Sequence, residues 1–204
     1  MTTDILHEQK ILILDFGSQY TQNIARKVRE SQVYCEIHPC TLPFDEIKAF
    51  NAKGIILSGG PASVQEEDSP LCDQKLFELG IPILGICYGM QLITHILGGK
   101  VTPSPHGEFG RAELVLKEFS HLFEEVKSNS IVWMSHGDRI SKLPKGFKGI
   151  AFTDNSPMAA IEDPVAHIYG LQFHPEVAHT VEGTRIINNF LFKICQCAKN
   201  WKME

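Results

Sequence analysis

One pentapeptide of this sequence, Gly85-Ile86-Cys87-Tyr88-Gly89, has the residue types that surround a catalytic thiol. It joins an apolar run directly to a helix-like stretch, in the form of the nucleophile elbow G-x-S-x-G with cysteine in place of serine. The helix dipole and free N–H groups at a helix N-terminus favour the thiolate. The N–H of Tyr88 would also point at an oxyanion on a bound acyl group. A buried structural cysteine is the alternative interpretation.

A histidine and a glutamate two residues apart, His174 and Glu176, follow an apolar run near the end of the chain. In an extended segment, residues two apart project to the same side, so both can face one cleft. The carboxylate would hold the imidazole tautomer while the other ring nitrogen takes the thiol proton. A lone histidine beside Pro175 would be a loop residue. In a chain with a cysteine elbow, the pair predicts a triad of Cys87, His174 and Glu176.

The segment Ser58-Gly59-Gly60-Pro61 follows another apolar run. Its glycines allow the backbone to approach a ligand closely, and the proline fixes the exit direction. The functional interpretation is an N–H from Gly60 that completes an oxyanion hole with Tyr88; an ordinary Gly-Pro turn is the alternative. The ATP-binding loop S-G-G-x-D-S would need aspartate where Ala62 stands, and no G-x-x-x-x-G-K-[ST] loop is present. The sequence therefore argues against ATP binding by this chain.

These motifs lie in a regular alternation of strand-like and helix-like segments. In the first half, short apolar runs typical of buried parallel strands occur at residues 10–15, 54–58 and 82–87, and residues 34–38 are also predicted to form a strand. Helical patterns follow them at residues 19–31, after Pro43, at 71–79, and at 88–97 before a Gly-Gly stop.

The second half contains shorter strand-like segments, some of them alternating, at residues 112–116, 131–135, 150–153, 158–161 and 168–173. An amphipathic helix is predicted at 184–197. Together the two halves predict an α/β domain: a mixed, mainly parallel central sheet with flanking helices and a smaller antiparallel section. Cys195 and Cys197 have no second Cys/His pair at zinc spacing, so we assign them to helix packing and predict no metal site.

The composition restricts the class of protein. The 204 residues fit one domain, with residues 10–198 as its core, and 43% hydrophobic residues can bury a sizeable core. The formal charge of −5 argues against a nucleic-acid partner. No apolar run approaches the ~20 residues needed to cross a bilayer, and residues 1–10 lack the order of a signal peptide. The six cysteines therefore indicate reduced thiols and a cytoplasmic protein.

The three motifs, Gly-Gly-Pro, Gly-Ile-Cys-Tyr-Gly-Met-Gln and Phe-His-Pro-Glu, resemble those of the class I (triad) glutamine amidotransferases in order and approximate spacing. The resemblance covers nearly the whole chain and implies the flavodoxin-like fold of that family. It implies glutamine as the substrate, no cofactor in this domain, Cys87 as nucleophile, His174 as general base and acid, and Glu176 as the orienting carboxylate. It also implies that four further residues bind substrate: Gln91, Ser135, His136 and Asp138. A polar turn is the alternative interpretation of residues 135–138.

Within that family, the opening segment 13–22, the segments 132–138 and 173–180, and the closing Cys-Gln-Cys before Trp201 are similar to the glutaminase part of GMP synthetases. This implies a partner: an ATP pyrophosphatase (synthetase) domain, in the same or a separate chain, that uses ATP and Mg²⁺ to convert XMP to GMP. It also implies a homodimeric whole enzyme. Because the sequence ends three residues after Trp201, we expect an excised N-terminal domain, with residues 199–204 as the start of a linker.

Three other functions remain compatible with the sequence. The chain could be the glutaminase subunit of another amidotransferase, or a different hydrolase on a related scaffold, such as a γ-glutamyl hydrolase or an intracellular peptidase. It could also be a non-catalytic lobe that stabilises a synthetase. Activity on free glutamine rather than on γ-glutamyl peptides separates a glutamine amidotransferase from a γ-glutamyl hydrolase. The reaction of Cys87 with a glutamine-analogue alkylating agent excludes the non-catalytic lobe.

Overall fold

Nine strands form a single sheet in the computed structural model, which describes residues 9–202. Their order across the sheet is β2-β1-β3-β4-β9-β8-β7-β5-β6. Residues 1–8 and 203–204, which include most of the N-terminal segment and the end of the expected linker, lie outside the described residues. The strands are β1 Lys10–Asp15, β2 Tyr34–Pro39, β3 Gly54–Leu57, β4 Ile83–Ile86, β5 Lys100–Leu116, β6 Ser130–Lys142, β7 Lys148–Phe152, β8 Ala160–Asp163 and β9 Ile168–Leu171.

Five neighbouring strands, β2, β1, β3, β4 and β9, pair in parallel. Strands β1, β3, β4 and β9 have nearly continuous apolar sequences because they are buried on both faces, whereas β2, at the edge of the sheet, is mostly half-buried. In β1, Ile11 and Ile13 face one core cluster, whereas Leu12 and Leu14 face the other. Helices α1 Thr21–Glu30 and α4 Gly183–Asn188 cover the first face, and α2 Phe44–Phe50 and α3 Tyr88–Ile96 cover the second. The predicted mixed α/β fold with flanking helices is confirmed.

The remaining strands form the antiparallel section. Strand β8 pairs with β9 and β7, and β7 pairs with the end of β5. Strands β5 and β6 form a long ribbon whose register is interrupted between Pro103 and Glu108. The ribbon starts at Lys100, twelve residues before the segment in which the sequence predicted a strand. Strand β8 likewise lies two residues later than predicted.

Two predicted helices differ from those observed. In place of a helix over residues 71–79, one 3₁₀ helix spans Gln74–Glu78. The Asp73 carboxylate accepts the N–H of Lys75 at 3.0 Å, and Gly80 at φ +69° ends the segment. Pro82 keeps the residue before it out of the helical region, so an α-helix cannot extend further.

The C-terminal helix is also shorter than predicted. Helix α4 ends at Asn188 and continues as a π-helical segment, Asn189–Ile194. The Asn189 amide turns inward and donates to the carbonyls of Leu122 and Glu124 at 3.0 and 2.9 Å. The N–H of Cys195 then reaches the Phe190 carbonyl, five residues back, at 2.8 Å. Cys195 and Cys197 are both buried, but they lie just beyond the last helical residue.

The parallel pairing determines where the functional motifs meet. Strands β1, β3, β4 and β9 run in the same direction, so their carboxyl ends share one edge of the sheet. Phe16, Ser58, Cys87 and Gln172 are the first residues after these four strands. In open α/β sheets, ligands bind outside this edge.

Candidate active site

Cys87 lies in a sharp turn between β4 and α3. Its backbone has φ 52° and ψ −105°, a conformation rarely adopted by a residue other than glycine. Glycines on both sides make the turn possible. A Cβ at Gly85 would lie 2.6 Å from the carbonyl carbon of Gly89, and a Cβ at Gly89 would lie 2.9 Å from the Cβ of Leu57. The structure therefore contains the strained elbow that the pentapeptide predicted.

Gly59 lies between the thiol and the histidine. A Cβ at this position would be 3.0 Å from Cε1 of His174 and 3.5 Å from Cβ of Cys87. Interaction with the Cys87 side chain also raises the pKa of the His174 ring. Two residues far apart in sequence are thus brought together because β4 and β9 are adjacent, parallel strands.

Glu176 completes the predicted trio. Its Oε1 lies 2.7 Å from Nδ1 of His174, and both side chains are buried. The segment is a turn, not a continued strand, so the two side chains meet although the extended geometry assumed from the sequence is wrong. The Thr180 hydroxyl fixes this turn: it donates to the His174 carbonyl at 2.6 Å and accepts the N–H of Trp133 at 3.0 Å.

The charge state of His174 follows from opposing effects. Burial disfavours the imidazolium and lowers the pKa of the ring, but hydrogen bonds and charge interactions with Cys87 and Glu176 raise it more strongly. The net result raises the pKa of His174 from 6.5 to about 10. At neutral pH this site can therefore hold an imidazolium between the side chains of Cys87 and Glu176. The edge of the Tyr20 ring covers the imidazole, with the ring centroids 5.4 Å apart.

The predicted substrate-binding residues line one cleft of about 370 Å³ beside Cys87. Gln91, Ser135, His136 and Asp138 all contribute to its wall, together with Gly60 and Tyr88. A second cleft, of about 310 Å³, opens on the other side of Cys87 between His174 and the loop 17–20. Cys87, Gly60 and Ser135 border both clefts.

The side chains of this wall are already engaged with one another. The Asp138 carboxylate accepts the Ser63 hydroxyl at 2.5 Å. The His136 ring contacts the Asp138 carbonyl through Nδ1 at 2.7 Å and the Glu108 carboxylate through Nε2 at 3.0 Å. Burial opposes ionisation of Glu108, but hydrogen bonds from His136, Ser156 and Thr153 outweigh it and lower its pKa. Both ring nitrogens of His136 are therefore engaged within the protein.

The two predicted oxyanion donors, Gly60 and Tyr88, border the same cleft. Tyr88 is the first residue of α3, where backbone N–H groups lack helical partners. Gly60 packs so closely on Phe16 that a Cβ would collide with the Phe16 carbonyl. Only glycine allows that backbone to lie there. The roles of Gly60 and Tyr88 as donors stay predictions.

Five residues of the site were missed from the sequence: Gln172, Ser63, Glu108, Tyr20 and Thr180. A period-two pattern ending at His174 and Glu176 also includes Gln172, and this was the available signal. The contacts of the other four residues depend on packing between distant segments, so the sequence held no comparable signal for them.

The comparison with known families shows to which protein family the chain belongs. A family model described as "Glutamine amidotransferase class-I" matches residues 12–194. The chain belongs to this family. The enzyme class and the fold predicted from the sequence are thereby confirmed. The catalytic roles of Cys87, His174 and Glu176 stay predictions.

The curated relatives have more specific names than the family model. A GMP synthase (glutamine-hydrolysing) of Caldanaerobacter subterraneus subsp. tengcongensis is 53% identical over 199 residues, covering 98% of the amidotransferase and 39% of that protein. The one from Brachyspira hyodysenteriae is 56% identical over 194 residues, covering 95% and 38%. The chain thus spans about two fifths of the length of these relatives.

Solved structures share this fold. A Thermoplasma acidophilum protein described as a candidate GMP synthase subunit has a TM-score of 0.81 and 34% identity, covering 93% of the amidotransferase and 95% of that chain. A glutamine amidotransferase of Thermotoga maritima has a TM-score of 0.68 at 21% identity, covering 92% and 83%. The second likeness shows the fold alone.

The described part of the chain contains neither a cluster of metal ligands nor a membrane-spanning helix. Within residues 9–202, no three or more His, Cys, Asp or Glu side chains converge in a way that could hold a metal ion. In the same range, no helix combines the length and apolar character needed to cross a bilayer.

Proposed function

We propose that this chain hydrolyses L-glutamine to glutamate and ammonia through a thioester on Cys87. The observation that carries the proposal is the convergence of Cys87, His174 and Glu176 at the carboxyl edge of the sheet, beside the backbone of Gly59 and Gly60. The family match supports it. This arrangement aligns a thiol, an imidazole and a carboxylate in the order that nucleophilic catalysis requires.

In the first half-reaction, glutamine lies in the larger cleft with its amide carbon beside the Cys87 sulfur. The thiolate attacks this carbon, and the negative charge develops on an oxygen between the N–H groups of Gly60 and Tyr88. Protonated His174 gives its proton to the departing nitrogen, and ammonia leaves as the γ-glutamyl thioester forms. Glu176 holds the ring so that Nε2 faces the thiol.

In the second half-reaction, water attacks the thioester. His174 now accepts a proton from the water, and the thiolate leaves as glutamate forms. Loss of either backbone donor is expected to slow both steps, by about 10²-fold or more.

The larger cleft also suggests how the α-substituents of glutamine are held. Asp138 supplies a negative charge for the α-ammonium group, and Ser63 fixes the position of that carboxylate. Ser135, His136 and Gln91 border the same space. Since the nitrogens of His136 are engaged within the protein, its contribution would come through the backbone.

The ammonia would be used by an ATP pyrophosphatase domain that converts XMP to GMP. The GMP synthase relatives extend well beyond the region matched by this chain, and the Thermoplasma acidophilum protein matches it over nearly its own whole length. We therefore propose that residues 10–198 form one domain that works with a synthetase partner, in the same or a separate chain. ATP and Mg²⁺ belong to that partner, and the complete enzyme is a homodimer of the cytoplasm.

Glutamate release tests the proposal. The isolated chain should form glutamate from glutamine, and a GMP synthase synthetase domain with ATP and XMP should increase the rate, because a docked partner orders the catalytic segment. Cys87→Ala should abolish glutamate release with the fold intact, whereas Cys35→Ala, a buried cysteine of β2, should retain it. Normal turnover by Cys87→Ala would overturn the assignment, and a preference for γ-glutamyl peptides would favour a γ-glutamyl hydrolase.

A further inference from the structure

Gln172 brings an amide into contact with the proposed nucleophile. It lies directly after β9 and is 1% exposed, and its Nε2 is 3.7 Å from the Cys87 sulfur. That distance is appropriate for an N–H donor and a sulfur acceptor, which is larger than oxygen. The backbone N–H of Gln172 is bonded to the Ala159 carbonyl at 2.8 Å, which fixes the start of the side chain.

The direction of this amide is determined by its neighbours. Nε2 of Gln91 is 3.2 Å from the Asp138 carbonyl oxygen, which can only accept, so the Gln91 amide must present its N–H₂ group there. The second N–H of that group points to Oε1 of Gln172, also at 3.2 Å. The oxygen of Gln172 is therefore used by Gln91, and its N–H₂ group must face the sulfur. One backbone carbonyl thus fixes the orientation of two buried amides.

An N–H donor at this position favours one protonation state of Cys87. A thiolate is a much better acceptor than a thiol, so the bond from Gln172 favours the ionised form. The Ser135 carbonyl, 3.5 Å from the same sulfur, has the opposite effect, because it can accept a hydrogen bond only from the neutral thiol. His174, backed by Glu176, is the titratable group against the sulfur, whereas Gln172 is uncharged at every pH.

We infer that Gln172 is a catalytic residue that donates a hydrogen bond to the Cys87 thiolate, and that Gln91 is the positioning residue that aims it. This inference rests on the proposed function of Cys87. The donor would act twice, because the sulfur is a thiolate when it attacks glutamine and again when it leaves the thioester. Gln91 also connects the donor to the backbone of Asp138, so the wall of the glutamine cleft and the nucleophile share one hydrogen-bonded chain.

Alkylation of Cys87 by iodoacetamide as a function of pH measures the effect directly, with the modified cysteine identified by mass spectrometry. Gln172→Met keeps the length of the side chain and removes the donor. The pH midpoint of alkylation should rise by about one unit, a tenfold smaller thiolate fraction, as expected when a hydrogen bond to a charged group is lost. Gln172→Glu places an oxygen against the sulfur and should raise the midpoint further. The kcat for glutamate release at neutral pH should fall about tenfold in the methionine variant.

A matched control is Ile168→Val at the opposite end of β9, which shortens a buried side chain without touching the sulfur. It should leave the alkylation midpoint unchanged. If Gln172 were only structural, its variants would lower the melting temperature and kcat without moving the midpoint, and that result would overturn the inference. An unreactive Cys87 in the unaltered chain would instead contradict the proposed function.

A measurement on the unaltered chain applies even if the variants do not fold. The side-chain N–H₂ resonances of Gln172 in a ¹⁵N-labelled sample should shift with pH, with the same midpoint as the alkylation of Cys87. They should stop shifting in Cys87→Ala. Resonances that do not respond to ionisation of the thiol would show that the amide does not donate to it.

Discussion

Replacement of Glu176 by glutamine removes the charge behind His174 and preserves almost all of the shape. The carboxylate is fully buried, and its Oε1 accepts from Nδ1 of His174 at 2.7 Å. Among residues 9–202, Oε2 has no hydrogen-bond partner. The glutamine amide must therefore either keep its oxygen on Nδ1 and bury an N–H₂ group in place of Oε2, or turn its N–H₂ group toward the ring.

Both orientations impair the reaction. If the oxygen stays on Nδ1, the charge-assisted hydrogen bond becomes a neutral one of about half the strength. The N–H₂ group is then buried without a partner, which costs about 1–3 kcal/mol. With the N–H₂ group on Nδ1, that nitrogen must accept, so the proton moves to Nε2 and the ring cannot take the proton of the thiol. Such a tautomer change costs about 10⁴-fold in a serine triad. We expect kcat to fall by about 10²-fold or more.

The pH dependence gives an independent check. The imidazolium must protonate the departing amide nitrogen so that it leaves as ammonia. Activity is therefore lost as pH rises through the pKa of His174, about 10 in the native site. Without the charge of Glu176, this loss of activity, the alkaline limb of the pH–rate profile, should move to lower pH. Glu162→Gln, which removes another buried carboxylate, bonded to Ser120, should leave both kcat and the limb unchanged. A kcat for Glu176→Gln within threefold of the native value, with an unmoved alkaline limb, would refute this role of Glu176.

Three further predictions concern the backbone and the charge of the site. Gly89→Ala should lower kcat by about 10²-fold, because a Cβ within 3.0 Å of Leu57 displaces the elbow by a sizeable fraction of an ångström. The control Gly80→Ala, at a position with open space but a positive φ, should lower only the melting temperature. Equal kcat values in the two variants would contradict the prediction. Thr180→Val should lower the free energy of unfolding by about 1–3 kcal/mol and also reduce kcat, whereas Thr180→Ser, which keeps the hydroxyl, should have native values of both. Urea unfolding measures the stability and glutamate release measures kcat. An unchanged stability in Thr180→Val would show that the hydroxyl does not stabilise the turn at residues 174–180. Folding raises the pKa of His174 from 6.5 to about 10, so the contribution of this imidazole to the free energy of unfolding is complete below pH 6.5 and is lost as pH rises toward 10, by up to about 5 kcal/mol. Urea unfolding across this pH range should show the decline. A free energy of unfolding that rises with pH there would contradict the prediction.

The parallel half of the fold could be predicted from the sequence because four of its five strands, all but β2, are nearly continuous apolar runs. Strand β5 was largely missed, since Pro103, Pro105 and Gly107 interrupt the alternation where the ribbon loses its register. The π-helical segment was not predictable either. It depends on Asn189 bonding to carbonyls of the segment that follows β5, a contact that no local pattern contains.

The site, too, contains residues that could be predicted from the sequence and residues that could not. Cys87, His174 and Glu176 could be proposed because a strained elbow and a His-x-Glu pair have local sequence signatures. Gln172 belongs to the same period-two pattern, but an amide has no chemistry of its own that draws attention to it. Its importance becomes visible only when Gln91 and the Asp138 carbonyl fix the direction in which it donates.

The most direct test of the account is to trap the covalent intermediate. The chain is mixed with radiolabelled glutamine, quenched with acid within the first turnover and digested, and the peptides are analysed by mass spectrometry. The account predicts one γ-glutamyl group per site, attached through a thioester to Cys87 and absent from Cys87→Ala. Glutamate release with no label on Cys87, or with the label on another residue, would contradict it.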